Sequence, residues 1–276
     1  MPELPEVETV RRVLEKLVIN KRIKSVEVFC DKMIKNVSVL EYKNKLKNQK
    51  ITSIDRIGKY LLINLEKYTI VSHLRMEGKY NYYQENYKKD KHDYIIYYFV
   101  DGSVLAYNDT RKFGTIELVD IYQEKTLNSI SKLGLEPFDE NFNYNYVIEK
   151  TKRLKSTIKQ VLLNQEIFLG IGNIYADEVL FASNILPSRK VDTITKKEWN
   201  EIIKNSKIIL NQAIDDGGTS VHSFMVSGNI DGKFQNKLKV YHQDGKECQI
   251  CKSKIEKTKI GGRGTHYCPK CQRWLL

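Results

Sequence analysis

What this 276-residue chain lacks already narrows what it can be. No run approaches the roughly 18 consecutive apolar residues of a membrane-spanning helix. The amino terminus is charged at Glu3 and carries no apolar core of secretory-leader length. No membrane partner and a cytoplasmic location are therefore expected. Low-complexity tracts and fibrous repeats are missing too, so the chain should bury a substantial core as one large or two ordinary domains. Acidic charge is in short supply: 34 Asp plus Glu stand against 46 Lys plus Arg, a net charge of +12 spread through the chain. Dispersed positive charge with 10% aromatic residues suits nucleic acid better than a membrane surface, which would call for a basic amphipathic helix or a lipidation signal. Cysteine is also scarce, with five in all. Cys30 sits alone in a strand-like stretch. Cys248, Cys251, Cys268 and Cys271 form two Cys-x-x-Cys knuckles separated by 16 residues, which in a cytosolic protein reads as a metal site rather than a disulfide pair.

The first eight residues, Met-Pro-Glu-Leu-Pro-Glu-Val-Glu, carry the sharpest chemical signal. If Met1 is removed, Pro2 becomes a terminal secondary amine whose lone pair no peptide bond delocalises. Such a nitrogen can attack an electrophilic carbon and form an iminium directly. Free α-amino groups titrate at about 7.7 to 8.0, so a useful fraction is unprotonated near neutral pH. Glu3 and Glu6 lie close enough in sequence to move protons for it or to hold it in place. Residues 5 to 18 then place Val7, Val10, Val13, Leu14, Leu17 and Val18 at helical spacing, with Pro5 acceptable in a first turn. Such a helix would pin the terminal amine against a core.

From Arg22 to Asp120 the pattern changes to short β-rich runs at residues 23–29, 51–56, 60–65, 69–76, 79–83, 93–100, 104–107 and 115–119, with Asp101-Gly102 as a hairpin turn. That spacing predicts a sandwich or barrel. A polar, Asn- and Tyr-rich connection over 134–145 marks a domain boundary. Helical patterning follows near 146–154, 156–164 and 174–184. A longer helix opens on a Thr195/Glu198 capping box, buries Trp199, Ile202, Ile203, Leu210, Ala213 and Ile214, and ends at Gly217-Gly218. Residues 217–236, rich in Gly, Ser and Asn, predict a long functional loop. The fold class is α+β and multidomain, with boundaries expected at 1–133, 134–237 and 238–276.

Two knuckles that each offer two thiolates suit one tetrahedral, closed, structural zinc. Between them, Gly261-Gly262-Arg263-Gly264 predicts a tight turn whose tip can reach a phosphate through a bidentate guanidinium.

Taken with this ribbon, the chain resembles the bacterial formamidopyrimidine-DNA glycosylase family from end to end. The resemblance is carried by the terminal motif through Arg12, Gly58-Lys59-Tyr60-Leu61, His73-Leu74-Arg75-Met76-Glu77-Gly78, Lys91-His92-Asp93, Asn108-Asp109-Thr110-Arg111-Lys112-Phe113-Gly114, Gly170-Ile171-Gly172-Asn173-Ile174-Tyr175-Ala176-Asp177-Glu178 and the ribbon's Gly-Arg-Gly-Thr-His-Tyr-Cys. It implies an amino-terminal β-sandwich with flanking helices, a helix-two-turns-helix module and a zinc finger, with double-stranded DNA carrying oxidised bases bound between the halves; a monomer is expected because one chain contains every part the mechanism needs. It implies that Pro2 attacks C1′ of the damaged nucleotide, that Glu3 is the general acid/base, and that Lys59 and Arg263 clamp the flanking phosphates. Met76, Arg111 and Phe113 would fill the void left by the flipped base. Asn173 would contact a phosphate, with His92, Lys155 and Lys159 as further backbone contacts, and Thr219, Ser220, Val221 and His222 would belong to the loop that closes over the lesion.

The sequence departs from the family at Asn164, at Phe168-Leu169, and at His222-Ser223, so base preference is the part of the transfer most open to change. The sister enzyme endonuclease VIII, which acts on oxidised pyrimidines, is the nearest rival; Leu4 with Met76, Arg111 and Phe113 favours purine lesions. A non-catalytic damaged-DNA-binding zinc protein is the rival from another class.

Overall fold

The computed structural model describes residues 1–219 and 232–273. The chain divides into two compact units, Met1–Ser131 with Gly217–Gly232, and Lys132–Asp216 with Lys233–Leu276.

The first unit opens with α1 (Leu4–Val18), whose buried stripe of Val7, Val10, Leu14 and Val18 follows the expected period. The strands are β1 (Ile23–Val28), β2 (Ile51–Ile57), β3 (Tyr60–Leu65), β4 (Tyr68–His73), β5 (Lys79–Tyr83), β6 (Asp93–Phe99), β7 (Val104–Asn108) and β8 (Thr115–Asp120). They form two antiparallel four-stranded sheets, ordered β1-β6-β7-β5 and β2-β3-β4-β8. Residues of both sheets and of α1 share one core, so the unit is a β-sandwich with a helix against it. Each strand coincides, to within a few residues, with an expected β-rich run, and Gly102 turns the β6–β7 hairpin at φ 89°. The fourth strand is shorter than expected because the backbone turns at Arg75, which takes φ 55°. Helix α2 (Val39–Leu46), capped by Ser38, was not expected: it is barely two turns long and buries only Tyr42 and Leu46, too few positions for a period to register. Cys30 packs partly buried against the sandwich core.

The short α3 (Asn128–Ser131) closes the main stretch of the first unit, and the second contains α4 (Tyr144–Thr151), α5 (Ile158–Leu163), α6 (Asn173–Ala182) and α7 (Lys196–Asp215). Asn143, Thr157 and Thr195 each cap a helix by accepting a backbone N–H three residues on. Phe168 and Leu169, larger than the family's usual pair, are absorbed here: Phe168 is buried with its ring 5.0 Å from Phe142 and 6.4 Å from Trp199. Asn164 ends α5 and accepts the Glu166 N–H at 3.0 Å. The ribbon strands β9 (Glu256–Ile260) and β10 (Arg263–Tyr267) pair antiparallel, with Ile260 opposite Arg263. Gly261 and Gly262 close that hairpin at φ 55° and 78°, the two positive values that a type I′ turn requires.

Glu178 of α6 is 4% exposed and accepts three backbone N–H groups, from Lys239, Val240 and Tyr241, each at 2.9 Å. It thereby fixes the approach to the ribbon. Truncation strands three donors, two of them only part-buried, and each stranded group costs on the order of 1–3 kcal/mol. Glu178→Ala should lower stability by roughly 2–4 kcal/mol, read by urea unfolding, with Glu178→Gln recovering a large part of the loss.

Candidate nucleic-acid interface and metal centre

Pro2 is buried and Glu3, 3% exposed, forms the N-cap of α1. Glu6 occupies the third helical position and accepts the Glu3 N–H at 2.9 Å with Oε2. Its Oε1 accepts the Thr219 N–H at 2.9 Å and the Thr219 hydroxyl at 3.1 Å. One buried carboxylate therefore holds the terminal dipeptide and the first residues of the 217–236 segment together. Gly218 makes this possible, since a β-carbon there would stand 2.8 Å from Glu6 Oε1 and the residue has φ 80°. Ser220, Val221 and His222, with Ser223, lie outside the described residues. Helix α1 is clamped to β2 by Arg11, which donates to Ile54 O at 3.2 Å, and by the Arg56–Glu8 ion pair at 3.2 Å. Burial alone would raise the Glu8 carboxyl, but hydrogen bonds from Arg11 and Arg12 and the charges of Arg11 and Arg56 hold it below its ordinary value. Lys59, 5% exposed, follows Gly58 in the tight β2–β3 turn.

Two loops present the three expected wedges. Asp109, fully buried, accepts the N–H groups of Arg111 at 3.0 Å, Phe113 at 2.9 Å and Gly114 at 2.8 Å. This nest leaves Phe113 51% exposed, with the Arg111 guanidinium 4.7 Å from its ring centroid. Met76, 37% exposed, lies in the turn after β4, where Gly78 donates to Leu74 O at 2.9 Å. Both loops close over Tyr107, whose hydroxyl would be 2.2 Å from a β-carbon on Gly78 and 1.7 Å from one on Gly114. Tyr107 and these glycines are the part of the site that sequence reasoning missed; glycine at 78 and 114 was the available signal. His92 is half-buried, and its carbonyl accepts the Asp109 N–H at 3.1 Å.

The ribbon hairpin is anchored inside the second unit. Lys159 donates to Asp177 Oδ1 at 2.7 Å, Gly264 O at 3.0 Å and Thr265 Oγ1 at 2.8 Å, and is fully buried. This corrects the expectation that Lys159 contacts a phosphate directly: its ammonium is enclosed between Asp177 of α6 and the hairpin that carries Arg263. Asn173 opens α6 and also donates to Gly264 O, at 3.0 Å. Arg263 is exposed at the start of β10, and Lys155 is exposed with its ammonium 2.9 Å from Asp192.

The four cysteine sulfurs lie within 4.8 Å of one another. Cys248 and Cys271 are 3.8 Å apart, and Cys251 and Cys268 3.4 Å. A tetrahedron with zinc–sulfur arms of about 2.3 Å has edges of about 3.8 Å, whereas a disulfide needs about 2.05 Å. The cluster therefore fits one zinc. The Ser253 hydroxyl beside Cys251 is the main cause holding its thiol down to about 6, while burial and the neighbouring sulfurs push the Cys271 thiol up.

Gly114→Ala drives a methyl group into a buried tyrosine, and overpacking of this kind costs about 1–3 kcal/mol. The variant should unfold correspondingly earlier, and Gly114→Ala with Tyr107→Phe should recover part of the loss. His73 accepts the Arg75 N–H at 3.0 Å with Nδ1. Burial, then the charges of Arg75 and Lys59, push its pKa down to about 3. The folded form therefore stays neutral while the unfolded chain takes up a proton below about pH 6.5, so stability is complete above that pH and falls toward pH 3 by up to about 1.4 kcal/mol per unit. In His73→Gln this part of the acid slope should vanish from urea titrations repeated across pH.

Comparison with known proteins agrees with this anatomy. Residues 1–116 match the formamidopyrimidine-DNA glycosylase N-terminal domain, 133–225 the formamidopyrimidine-DNA glycosylase H2TH domain, and 245–273 the zinc finger found in FPG and IleRS. The formamidopyrimidine-DNA glycosylase of Exiguobacterium sibiricum is 46% identical over 277 aligned residues, covering 100% of both chains. That of Oceanobacillus iheyensis is 44% identical, over 99% of this chain and 98% of the relative. The Lactococcus lactis Fpg (MutM) bound to DNA containing N7-benzyl-Fapy-dG superposes with a TM-score of 0.91 at 38% identity, over 99% of this chain and 100% of that one. With matches over three successive regions and full-length relatives well above the identity at which homology is secure, this chain belongs to the formamidopyrimidine-DNA glycosylase family.

Proposed function

We propose that this protein is a base-excision-repair DNA glycosylase and AP lyase that removes oxidised purines, 8-oxoguanine and formamidopyrimidines, from double-stranded DNA. It acts as a cytoplasmic monomer, with a catalytic domain at 1–133, a helix-two-turns-helix domain at 134–237 and a finger at 238–276. The observation that carries the mechanism is the lock on the amino terminus: Glu6 holds Glu3 and Thr219 at once, which supports a fixed Pro2 beside a segment that can cover a substrate.

After removal of Met1, the Pro2 lone pair attacks C1′. The glycosidic bond breaks with its electron pair leaving on the base, which takes up a proton, and Glu3 handles protons at the sugar. Loss of the amine proton and opening of the C1′–O4′ bond leave an iminium at C1′. The iminium acidifies C2′; removal of that proton expels the 3′ phosphate, and a second elimination expels the 5′ phosphate. A one-nucleotide gap remains. Lys59 and Arg263 neutralise the departing phosphates. Met76, Arg111 and Phe113 occupy the space vacated by the flipped base, with Arg111 able to hydrogen-bond the orphaned cytosine. Asn173, Lys155 and His92 hold the backbone, while Lys159 acts only through the hairpin. When bound at Cys248, Cys251, Cys268 and Cys271, zinc supplies a structural cross-link that holds the ribbon.

Borohydride reduces an iminium to a stable amine. On a duplex with 8-oxoguanine opposite cytosine, the wild-type enzyme should form a covalent adduct that peptide mass mapping places on Pro2. A matched thymine-glycol duplex should trap far less. Pro2→Gly should keep lesion binding and lose most of the rate. Tight binding with no adduct on either duplex would replace the enzyme with a non-catalytic damage binder, and preferential trapping on thymine glycol would transfer the chain to pyrimidine lesions.

A further inference from the structure

A second cluster of metal-binding side chains lies outside the four cysteines. His242, Asp244 and His266 bring one ligand atom each to within 4.8 Å of one another. His242 and Asp244 are exposed, whereas His266 is 2% exposed.

The informative atom is His266 Nε2. On the other side of the ring, Nδ1 lies 3.2 Å from Asp177 Oδ2, and the same carboxylate oxygen accepts the His266 backbone N–H at 2.8 Å. A carboxylate is an acceptor only, so Nδ1 donates to Asp177, and in the neutral ring Nε2 then presents its lone pair. That lone pair is buried and has no hydrogen-bond partner among the described residues. It faces Asp244 Oδ1 at 3.4 Å, an acceptor opposite an acceptor. The His242 ring lies 5.1 Å from the His266 ring, and Tyr241 packs edge-on against both, at 4.4 and 5.1 Å. Two acceptors facing each other at this distance form an arrangement that a shared cation can bridge. At 3.4 Å the two atoms stand beyond the usual N–H···O range of about 2.7–3.2 Å. A metal fits better: arms of about 2.0–2.1 Å to imidazole nitrogen and carboxylate oxygen in a tetrahedron put those two atoms about 3.3–3.4 Å apart.

We propose that His242, Asp244 and His266 form a second, open metal site that takes a borderline divalent transition ion of the Zn2+, Co2+ or Ni2+ class, with Asp177 as the carboxylate that orients the ligating histidine. Two imidazoles and one carboxylate select such ions over Mg2+ and Ca2+, which prefer all-oxygen shells. A carboxylate on the far ring nitrogen is the usual companion of a metal-bound histidine. Three protein ligands leave a position for water, unlike the closed cysteine site. Because Asp177 also holds Lys159, occupancy at His266 bears on the anchor of the hairpin that presents Arg263. The segment before the first knuckle, at Tyr241 and His242, becomes tied to β10.

The test uses the full-length protein with its cysteine site loaded with zinc. Titration with Zn2+, followed by metal analysis after removal of free ion, should give two equivalents per chain, and one for His242→Ala, whose exposed side chain can be cut without disturbing the core. Thermal unfolding should shift upward with added Zn2+ in the wild type and stay unchanged in His242→Ala. Co2+ added to the zinc-loaded wild type should produce ligand-field bands without the sulfur-to-cobalt charge-transfer absorption that a cysteine site gives. A single equivalent in the wild type, a second equivalent surviving in His242→Ala, or charge-transfer bands that report displacement at the cysteines would each overturn the proposal.

Discussion

A buried carboxylate with an unfilled lone pair is expensive, and this protein meets that constraint with backbone N–H groups at four places that position functional segments. Glu6 takes two such donors, Asp109 three, Glu178 three, and Asp177 one with a lysine and a histidine beside it. Desolvating a carboxylate costs several kcal/mol, and hydrogen bonds to a charged acceptor return roughly 1.5–3 kcal/mol each. Two or three of them bring the balance close to neutral. The net gain is therefore geometry rather than stability: the loop can adopt only the conformation that delivers all its donors.

The four cases divide the work. Glu6 and Asp109 act within the first unit, on the segment beginning at Gly217 and on the turn bearing Arg111 and Phe113. Asp177 and Glu178 are neighbours on α6 and act within the second, on β10 and on the approach to the ribbon. Asp177 differs in balancing its charge with the buried Lys159 ammonium. Removing either partner would leave a lone charge in the interior, a loss of about 3–5 kcal/mol, so a lysine that looks like a surface contact in the sequence becomes structural in the fold.

The same distinction explains what the sequence could and could not convey. Short runs rich in β-branched and aromatic residues, bounded by turn residues, mark strands without any long-range information, and all eight strands of the sandwich were legible from those runs, although only β5 and β8 bury every second residue. The capping box at 195 and 198 and the paired glycines at 261 and 262 act through neighbours in sequence, so α7 and the ribbon hairpin were legible too, and α5 was legible from its helical patterning although its cap at Thr157 was missed. Helix α2 escaped because it contributes only Tyr42 and Leu46 to the core. Lys159 was misjudged because its partners Gly264 and Thr265 lie more than a hundred residues away, and no local pattern signals a partner at that distance. Asp177, Glu178 and Gly114 were visible as motif letters, but their tasks depend on atoms that only the fold brings near.

Rigidity also accounts for the exposed apolar residues at the proposed wedge. Phe113 leaves half its surface in water, against the hydrophobic tendency, and isolated cases of that kind need no special cause. Here the backbone on either side is bonded to Asp109, and the Arg111 guanidinium covers one face of the ring. Ordering a flexible aromatic or arginine side chain on binding costs about 0.5–1.5 kcal/mol each. With the backbone held by a buried carboxylate and the two side chains packed on each other, part of that loss is already met before any ligand arrives. An insertion that must also unstack a base, at a cost of a few kcal/mol, gains most from wedges ordered in advance. In the proposed role, the Asp109 nest thus lowers the barrier to base extrusion without touching the base.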